Sequence, residues 1–348
     1  MNFVEKGFSL VELLVALVLG LVLITGVAHL FLATNKTWAL QDELSRIQEN
    51  ARMAMDILGT EIRTASYTGC PAQADLANNL SSGHDLRDWM AHFDKGILGF
   101  SSGADTTGRI DSNAISGAIV VHNIDREQGI TVSSHDVSTA TATLSVNHNH
   151  DEGDLLAFVS NDCEQISVFR AGGDTELNQV THPASNGTLG NCISHLNGNF
   201  NCHTNSAVAS SMSHRGAQLA PLNSYAFYLR EANDVPTLYR KQAGEYTSGN
   251  SINAEALVEG IERMNILYGV DTDNDGITNR YQTADDVGLF ADSWRNVISV
   301  KLELLARSFT EIAPEPQSYF FAGQRIDPTD NFLRRSFVST IQLRNRLE

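Results

Sequence analysis

The sequence predicts an α+β protein, a long N-terminal helix packed on an antiparallel β-sheet head with long loops. Three observations predict it. Between Phe8 and Leu32 the only formally charged side chain is Glu12. From residue 33 to 66 apolar residues recur every three or four positions, the period of a helix with one buried face. After Cys70 the period shortens to two, in segments separated by Gly, Asn, Ser and Asp clusters, the pattern of strands and turns.

At about 1.5 Å per residue the Phe8–Leu32 run spans a hydrocarbon core of about 30 Å. A secretory signal peptide would have a shorter apolar core and a small-residue cleavage site, whereas this run flows into a charged helix. A plain membrane anchor gives no reason for Glu12, because a carboxylate in hydrocarbon is costly without a partner. Cleavage after Gly7 would supply that partner. Phe8 would become the N-terminus, and its α-amine would stand four residues from Glu12 on one helix face. In an assembly of parallel helices the same carboxylate could instead neutralise the amine of a neighbouring subunit and set the register. The stripe Leu44, Ile47, Ala51, Ala54, Leu58, Ile62 and Ala65 marks the face of residues 33–66 that packs on the head, with Asp42, Glu43, Arg46, Glu49, Arg52, Asp56 and Arg63 opposite. No proline precedes Pro71, so one helix of about sixty residues is expected.

In the head, GAIVVHNI, GITVSS, DLLAFVS, QISVFRAG, NSYAFYLRE, PTLYRKQ, VISVKLELLARS and RRSFVSTIQLRN read as strands covered on one face, as where Val300, Leu302 and Leu304 alternate with Lys301 and Glu303. Residues 101–116 and 203–218 read as surface loops. His148 and His150 read as part of a solvated loop, and Arg334, Arg335, Arg344 and Arg346 as the solvated face of a last strand. The even set Cys70, Cys163, Cys192 and Cys202 suits two disulfides in an exported chain, with three pairings open. Cys192 with Cys202 closes a short polar loop and would leave Cys70 with Cys163. A zinc site from Cys192, Cys202, His195 and His203 competes, although its spacing matches no standard finger.

The 348 residues carry a formal charge of −17, with no Lys/Arg-dense run to neutralise phosphates, so no direct nucleic-acid partner is expected. In YGVDTDNDGITNRYQTADDV, Asp271, Asp273 and Asp275 present oxygens at alternate positions, and Gly276 lets the Ile277 carbonyl turn back toward the same centre. The spacing resembles a calcium loop. Gln282 stands where that loop has its bidentate Glu, so an ion would need Asp285, Asp286 or water, and an Asx-rich turn without an ion fits the same residues. Calcium is the only cofactor suggested. No H-E-x-x-H or phosphate-cradling glycine loop is present, no catalytic residue is assigned and the chain is not read as an enzyme.

The segment G-F-S-L-V-E ahead of an apolar helix resembles the class III leader of type IV pilins and type II secretion pseudopilins. The resemblance implies that a prepilin peptidase cuts between Gly7 and Phe8 and methylates Phe8, and that Glu12 guides docking into a filament. Toward the C-terminus, GIERMNILYGVDTDNDG, SWRNVISVKLELLARS and RRSFVSTIQLRNR, with the YAFYLRE/TLYRKQ pair, resemble the PilW family of type IV pilus minor pilins. The implied organisation is a leader at 1–7, a transmembrane or filament-core helix at 8–32, an amphipathic helix at 33–66 and a β-rich head at 67–348. The implied function is a minor pilin at or near the pilus tip that helps prime assembly and supports twitching motility, adhesion or DNA uptake. Its partners would be the major pilin, other minor pilins, the prepilin peptidase and, before assembly, the inner membrane with the head in the periplasm; after assembly it would lie in the extracellular pilus. A type II secretion minor pseudopilin and a membrane-anchored extracytoplasmic enzyme are the alternatives.

Overall fold

One helix of 55 residues, α1 (Leu10–Thr64), runs unbroken from the apolar N-terminal stretch into the head. The computed structural model describes residues 9–70, 74–81, 88–126, 129–173, 176–185, 190–196, 198–202, 213–247 and 251–346. At about 1.5 Å per residue α1 is about 80 Å long. Its two halves differ as the pattern requires. Large apolar side chains from Leu10 to Leu32 are exposed, Leu10 at 75%, whereas Ile47, Ala51, Ala54, Leu58, Ile62 and Ala65 are buried in the head. Leu44 packs at the margin of the same core.

The head alternates strands with short helices: β1 (Asp75–Asn78), β2 (Ile97–Phe100), α2 (Ala104–Arg109), β3 (Ala114–Ile124), β4 (Ile130–Asp136), β5 (Thr141–Leu144), β6 (Leu155–Val159), β7 (Gln165–Arg170), β8 (Gln179–Thr181), β9 (Gln218–Ala232), β10 (Val235–Thr247), β11 (Ser251–Glu259), β12 (Ile261–Val270), β13 (Arg280–Gln282), α3 (Ala284–Val287), β14 (Val297–Glu311), β15 (Tyr319–Phe321), β16 (Gln324–Ile326) and β17 (Phe332–Gln342). An eleven-stranded sheet follows the order β1-β7-β6-β9-β4-β5-β8, with β3 and β10 flanking the second half of β9, β2 beyond β3 and β11 beyond β10. A second sheet has the order β13-β12-β14-β17, and β15 with β16 forms a small hairpin. Among the described residues the named strands pair antiparallel except β1 with β7.

β9 is the spine of the large sheet. Its first residues pair with β6 and β4, whereas Leu222 to Ala232 lie between β3 and β10. The main core lies between this sheet, the inner face of the smaller sheet and α1, and there Val300, Leu302, Leu304 and Ala306 of β14 meet the α1 stripe. A second, smaller core lies on the other side of β6 and β7. Leu155, Ala157 and Val159 face the main core, and Leu156 and Phe158 face the second, so β6 is apolar at every position. The expectation of sheets covered on one face therefore fails for β6 and β7, which are covered on both.

Other expectations are also corrected by contacts that local sequence does not show. Residues 101–116 are not a plain loop, because they contain α2 and the start of β3. Of 203–218, residues 203–212 lie outside the described residues, and the rest is anchored where Gly216 N donates to the Val132 carbonyl at 2.8 Å. His148 is buried, its Nε2 2.7 Å from the Gln179 carbonyl, so H-x-H is not a solvated loop. The C-terminal arginines are not one solvated face. Arg335 and Arg344 are exposed, but the Arg334 side chain is 5% exposed and paired with Glu262 and Asp330, each at 2.6 Å. Arg346 turns inward against Ser66, Lys95, Trp294 and Val297.

Candidate functional site

The residues singled out by sequence collect in two places, the start of α1 and the turn between β12 and β13. At the first, Ser9 is extended (φ −71°, ψ 143°) and its Oγ accepts from Val11 N at 3.3 Å, while Glu12 Oε2 accepts from Ser9 N at 3.0 Å. This is a capping box, in which Glu12 satisfies an amide at the helix start and lies at the positive end of the helix dipole. The pattern S-x-x-E was legible in Ser9-Leu10-Val11-Glu12 and was missed by a reading that looked only for the carboxylate's charge partner. Gly7 and Phe8 lie outside the described residues.

From this cap the helix presents apolar side chains all round. It is long and apolar enough to cross a membrane by length and composition. The hydroxyls in and just beyond that run are satisfied internally: Thr25 Oγ1 donates to the Leu21 carbonyl at 2.7 Å, Thr34 to Leu30 at 2.8 Å and Thr37 to Ala33 at 2.9 Å. Such back-bonding removes the cost of carrying a hydroxyl into an apolar medium.

The head is stapled by two disulfides, Cys70–Cys163 and Cys192–Cys202. With both thiols of Cys192 and Cys202 in that bond, the zinc alternative loses its sulfur ligands. The staples hold the irregular segments that the sheet does not. Asn79 at the end of β1 extends this, donating from Nδ2 to the Ile193 and His195 carbonyls at 3.1 and 2.6 Å.

The acidic turn joins β12 to β13. Asp271 is buried, and its carboxylate accepts from Asp273 N at 3.2 Å, Asn274 N at 2.7 Å and Gly276 N at 2.8 Å. Desolvation opposes its ionisation, yet these backbone donors hold its carboxyl below the usual range. Asn274 (φ 58°) and Gly276 (φ 80°) take the left-handed conformation that closes the turn. Asn279, which sequence reading overlooked, accepts from Thr272 N at 2.6 Å and Oγ1 at 3.0 Å and ties the two limbs together. Ligand oxygens of Asp271, Asp273 and Asp275 lie within 4.8 Å of one another, a set that could hold a hard divalent cation. Ile277 N donates to Asp275 Oδ1 at 2.8 Å. Asp285 is not brought to this set. It lies at the start of α3 with Ser101 as its hydrogen-bond partner, and Asp286 caps the same helix through Thr283.

Comparison with known families bears on both places. Residues 226–345, from the second half of β9 to the C-terminal turn, match the model of type IV pilus-assembly protein W, PilW. The C-terminal part of the chain is PilW-like. Residues 3–28 match the prokaryotic N-terminal methylation motif, so the second signature falls on the start of α1. No curated protein and no solved structure matches the chain. A PilW-like region behind a methylation motif supports a type IV pilus-related pilin. The PilW match takes in β10 to β17, the acidic turn and the smaller sheet. It stops short of the second core and both disulfides.

Proposed function

We propose that the protein is a minor pilin, held in the inner membrane by the first half of α1 with its head in the periplasm until it is built into the filament at or near the tip. Prepilin peptidase cuts between Gly7 and Phe8 and methylates Phe8, and Glu12 then serves as the docking carboxylate toward the amine of a neighbouring pilin. The head contacts other minor pilins and the major pilin and primes assembly, through which it supports twitching motility or adhesion. Its work is complementarity, not turnover.

One observation carries this reading. A methylation motif opens a single rigid helix whose proximal half is bare and apolar and whose distal half is buried in a PilW-like head. A helix exposed on all sides needs either lipid or other helices around it, and a pilin meets each in turn. The acidic turn belongs to the proposal as the place on the head where calcium would bind, through Asp271, Asp273, Asp275 and the Ile277 carbonyl.

The test is N-terminal sequencing of the protein recovered from membranes and from sheared filaments. A chain that begins at methylated Phe8 in both fractions is expected. A mature protein that keeps Met1 and its leader overturns the reading.

A further inference from the structure

The second core is built around three histidines from separate parts of the chain: His135 on β4, His182 just after β8 and His214 ahead of β9. His135 Nε2 lies 2.8 Å from His182 Nε2. His214 N donates to His135 Nδ1 at 3.1 Å, and His214 Nε2 lies 2.5 Å from the Leu196 carbonyl and 3.4 Å from Ser167 Oγ. The Phe158 ring lies 5.3 to 6.1 Å from all three, and Phe169 lies 5.4 Å from His182. His182 and His214 are buried.

These contacts fix where the protons are. Because a backbone N–H points at His135 Nδ1, that nitrogen must carry its lone pair, so the ring proton is on Nε2 and is donated to His182 Nε2. His214 must carry its proton on Nε2 to reach the carbonyl. A second proton on His135 would face the His214 amide, and one on His182 Nε2 would face the His135 N–H. The same assignment disfavours a metal between the pair, since His135 Nε2 has no free lone pair. Backbone hydrogen bonds at His182, Ser194 and Leu196 would partly compensate a positive charge, but burial outweighs them. Asp136, beside His135 on β4, is the one carboxylate acting on the trio among the described residues, and its oxygen is engaged by Ser138 N and Oγ at 2.9 and 2.6 Å. β6 and β7 offer Phe158, Phe169 and Ser167, and the disulfide segment offers the Leu196 carbonyl.

The histidine-bearing strands cover the second core with Ile130, Val132, Ala142, Leu144 and Val180. β4 meets the β9 segment over a short length, Ile130 pairing with Leu219 and Thr131 with Gln218 while Val132 exchanges backbone hydrogen bonds with Gly216 and Ala217; β5 pairs with β4 and β8 with β5, and Gly172 N donates to the Thr181 carbonyl of β8. We propose that β4, β5 and β8 form an acid-sensitive flap, closed over the outer face of β6 and β7 while the three histidines are neutral, and opening in mildly acidic solution while the core around α1 stays closed. Opening would bare Leu156, Phe158 and Phe169, an apolar surface available only in acid.

The direction of the effect follows from proton linkage. Burial, reinforced by the neighbouring rings, pushes His182 down to about 3, and burial pushes His214 down to about 4; burial lowers His135 against the pull of Asp136. Folded-state values lie below the ordinary one, so closure is complete above about pH 6.5 and is lost as pH falls from there toward the folded values. Between pH 7.5 and 5.0 His182 and His214 each weaken closure about thirtyfold and together about a thousandfold, and His135 adds to this in the same direction. The main core holds one comparable group, His122, pushed down to about 3 by burial, with Nδ1 2.6 Å from Ser224 Oγ.

The test is amide hydrogen exchange of the full chain in detergent micelles at pH 7.5 and 5.0, corrected for the intrinsic pH dependence of exchange. Peptides covering 130–144 and 179–185 should lose at least about a hundredfold more protection at pH 5.0 than those covering 47–62 and 297–307. His182→Phe, a non-titrating ring beside Phe158 and Phe169, should reduce that loss about thirtyfold. If it does not fold, His214→Gln, which keeps a donor for the Leu196 carbonyl, reads the same quantity. Equal protection at the two pH values, loss spread evenly through the α1 core, or variants with the parent's pH response would each overturn the proposal.

Discussion

Arg346 Nε donates to Ser66 Oγ at 2.9 Å, joining the end of the chain to the end of α1 across 280 residues of sequence. The same guanidinium donates to the Lys95, Trp294 and Val297 carbonyls. Ser66 N donates to the His122 carbonyl at 2.9 Å, and His122 N to the Gly96 carbonyl at 2.8 Å. Gly96 has φ 66°, and a Cβ there would overlap Ser66 Oγ. Helix end, both sheets and C-terminus therefore meet in one hydrogen-bonded knot.

Arg346→Met should destabilise the head by about 1–3 kcal/mol, because it leaves partly buried carbonyls without a donor. Urea unfolding of the full chain in detergent would measure it. Unchanged stability would make the knot incidental.

Leu58→Ala should cost about 2–5 kcal/mol, since Leu58 is fully buried between α1 and the sheets and the space cannot close around a rigid helix. Met53, on the same helix but 51% exposed, should tolerate alanine within about 0.5 kcal/mol. Equal losses in the same urea assay would contradict the assignment of the packing face.

Glu12→Gln separates the two roles of that side chain, because the amide oxygen can still accept from Ser9 N but carries no charge. Processing to normal size with poor recovery in sheared filaments is expected for Glu12→Gln as for Glu12→Ala. Wild-type incorporation of the Gln variant would leave Glu12 as a helix cap only.

The two disulfides should differ in weight. In the chain-entropy account, replacing Cys70 and Cys163 by Ser, which opens a separation of 93 residues, costs about 4–5 kcal/mol, whereas opening the 10-residue separation of Cys192 and Cys202 costs about 2–3 kcal/mol. Thermal melting of the two double variants checks the order.

Calcium should raise the melting temperature of the full chain by mass action, by an amount equivalent to about 2.7 kcal/mol at a hundredfold excess over Kd. Asp273→Asn leaves the three backbone bonds of Asp271 in place and removes one ligand charge, so it should weaken the response. A flat titration of the parent protein reduces the region to an Asx turn.

Much of this molecule was legible because it is governed by period and local chemistry. Three-and-four spacing identified Ile47, Ala51, Ala54, Leu58, Ile62 and Ala65 as one buried face, and each is buried. Alternation found β3, β9, β10, β14 and β17 but not the long β11 and β12, and short pieces such as β1, β2 and β13 exist only because a neighbour pairs with them. Loop length favoured Cys192 with Cys202 but left three pairings open, which the structure settles as Cys70–Cys163 and Cys192–Cys202, while the acidic turn was legible in the spacing of its oxygens.

Sequence by itself determined the helix and its buried face, the class of the N-terminal motif and the alternation of the head, because each depends on residues within a few positions of one another. Tertiary structure alone decided that Arg334 and Arg346 are enclosed, that Asp285 turns to Ser101 and away from the aspartate turn, that β6 has a core on each face, and that three histidines up to 79 residues apart share one pocket. A polar residue reads as solvated until the chain brings it a partner, and that partner lies too far along the sequence for any local pattern to reveal.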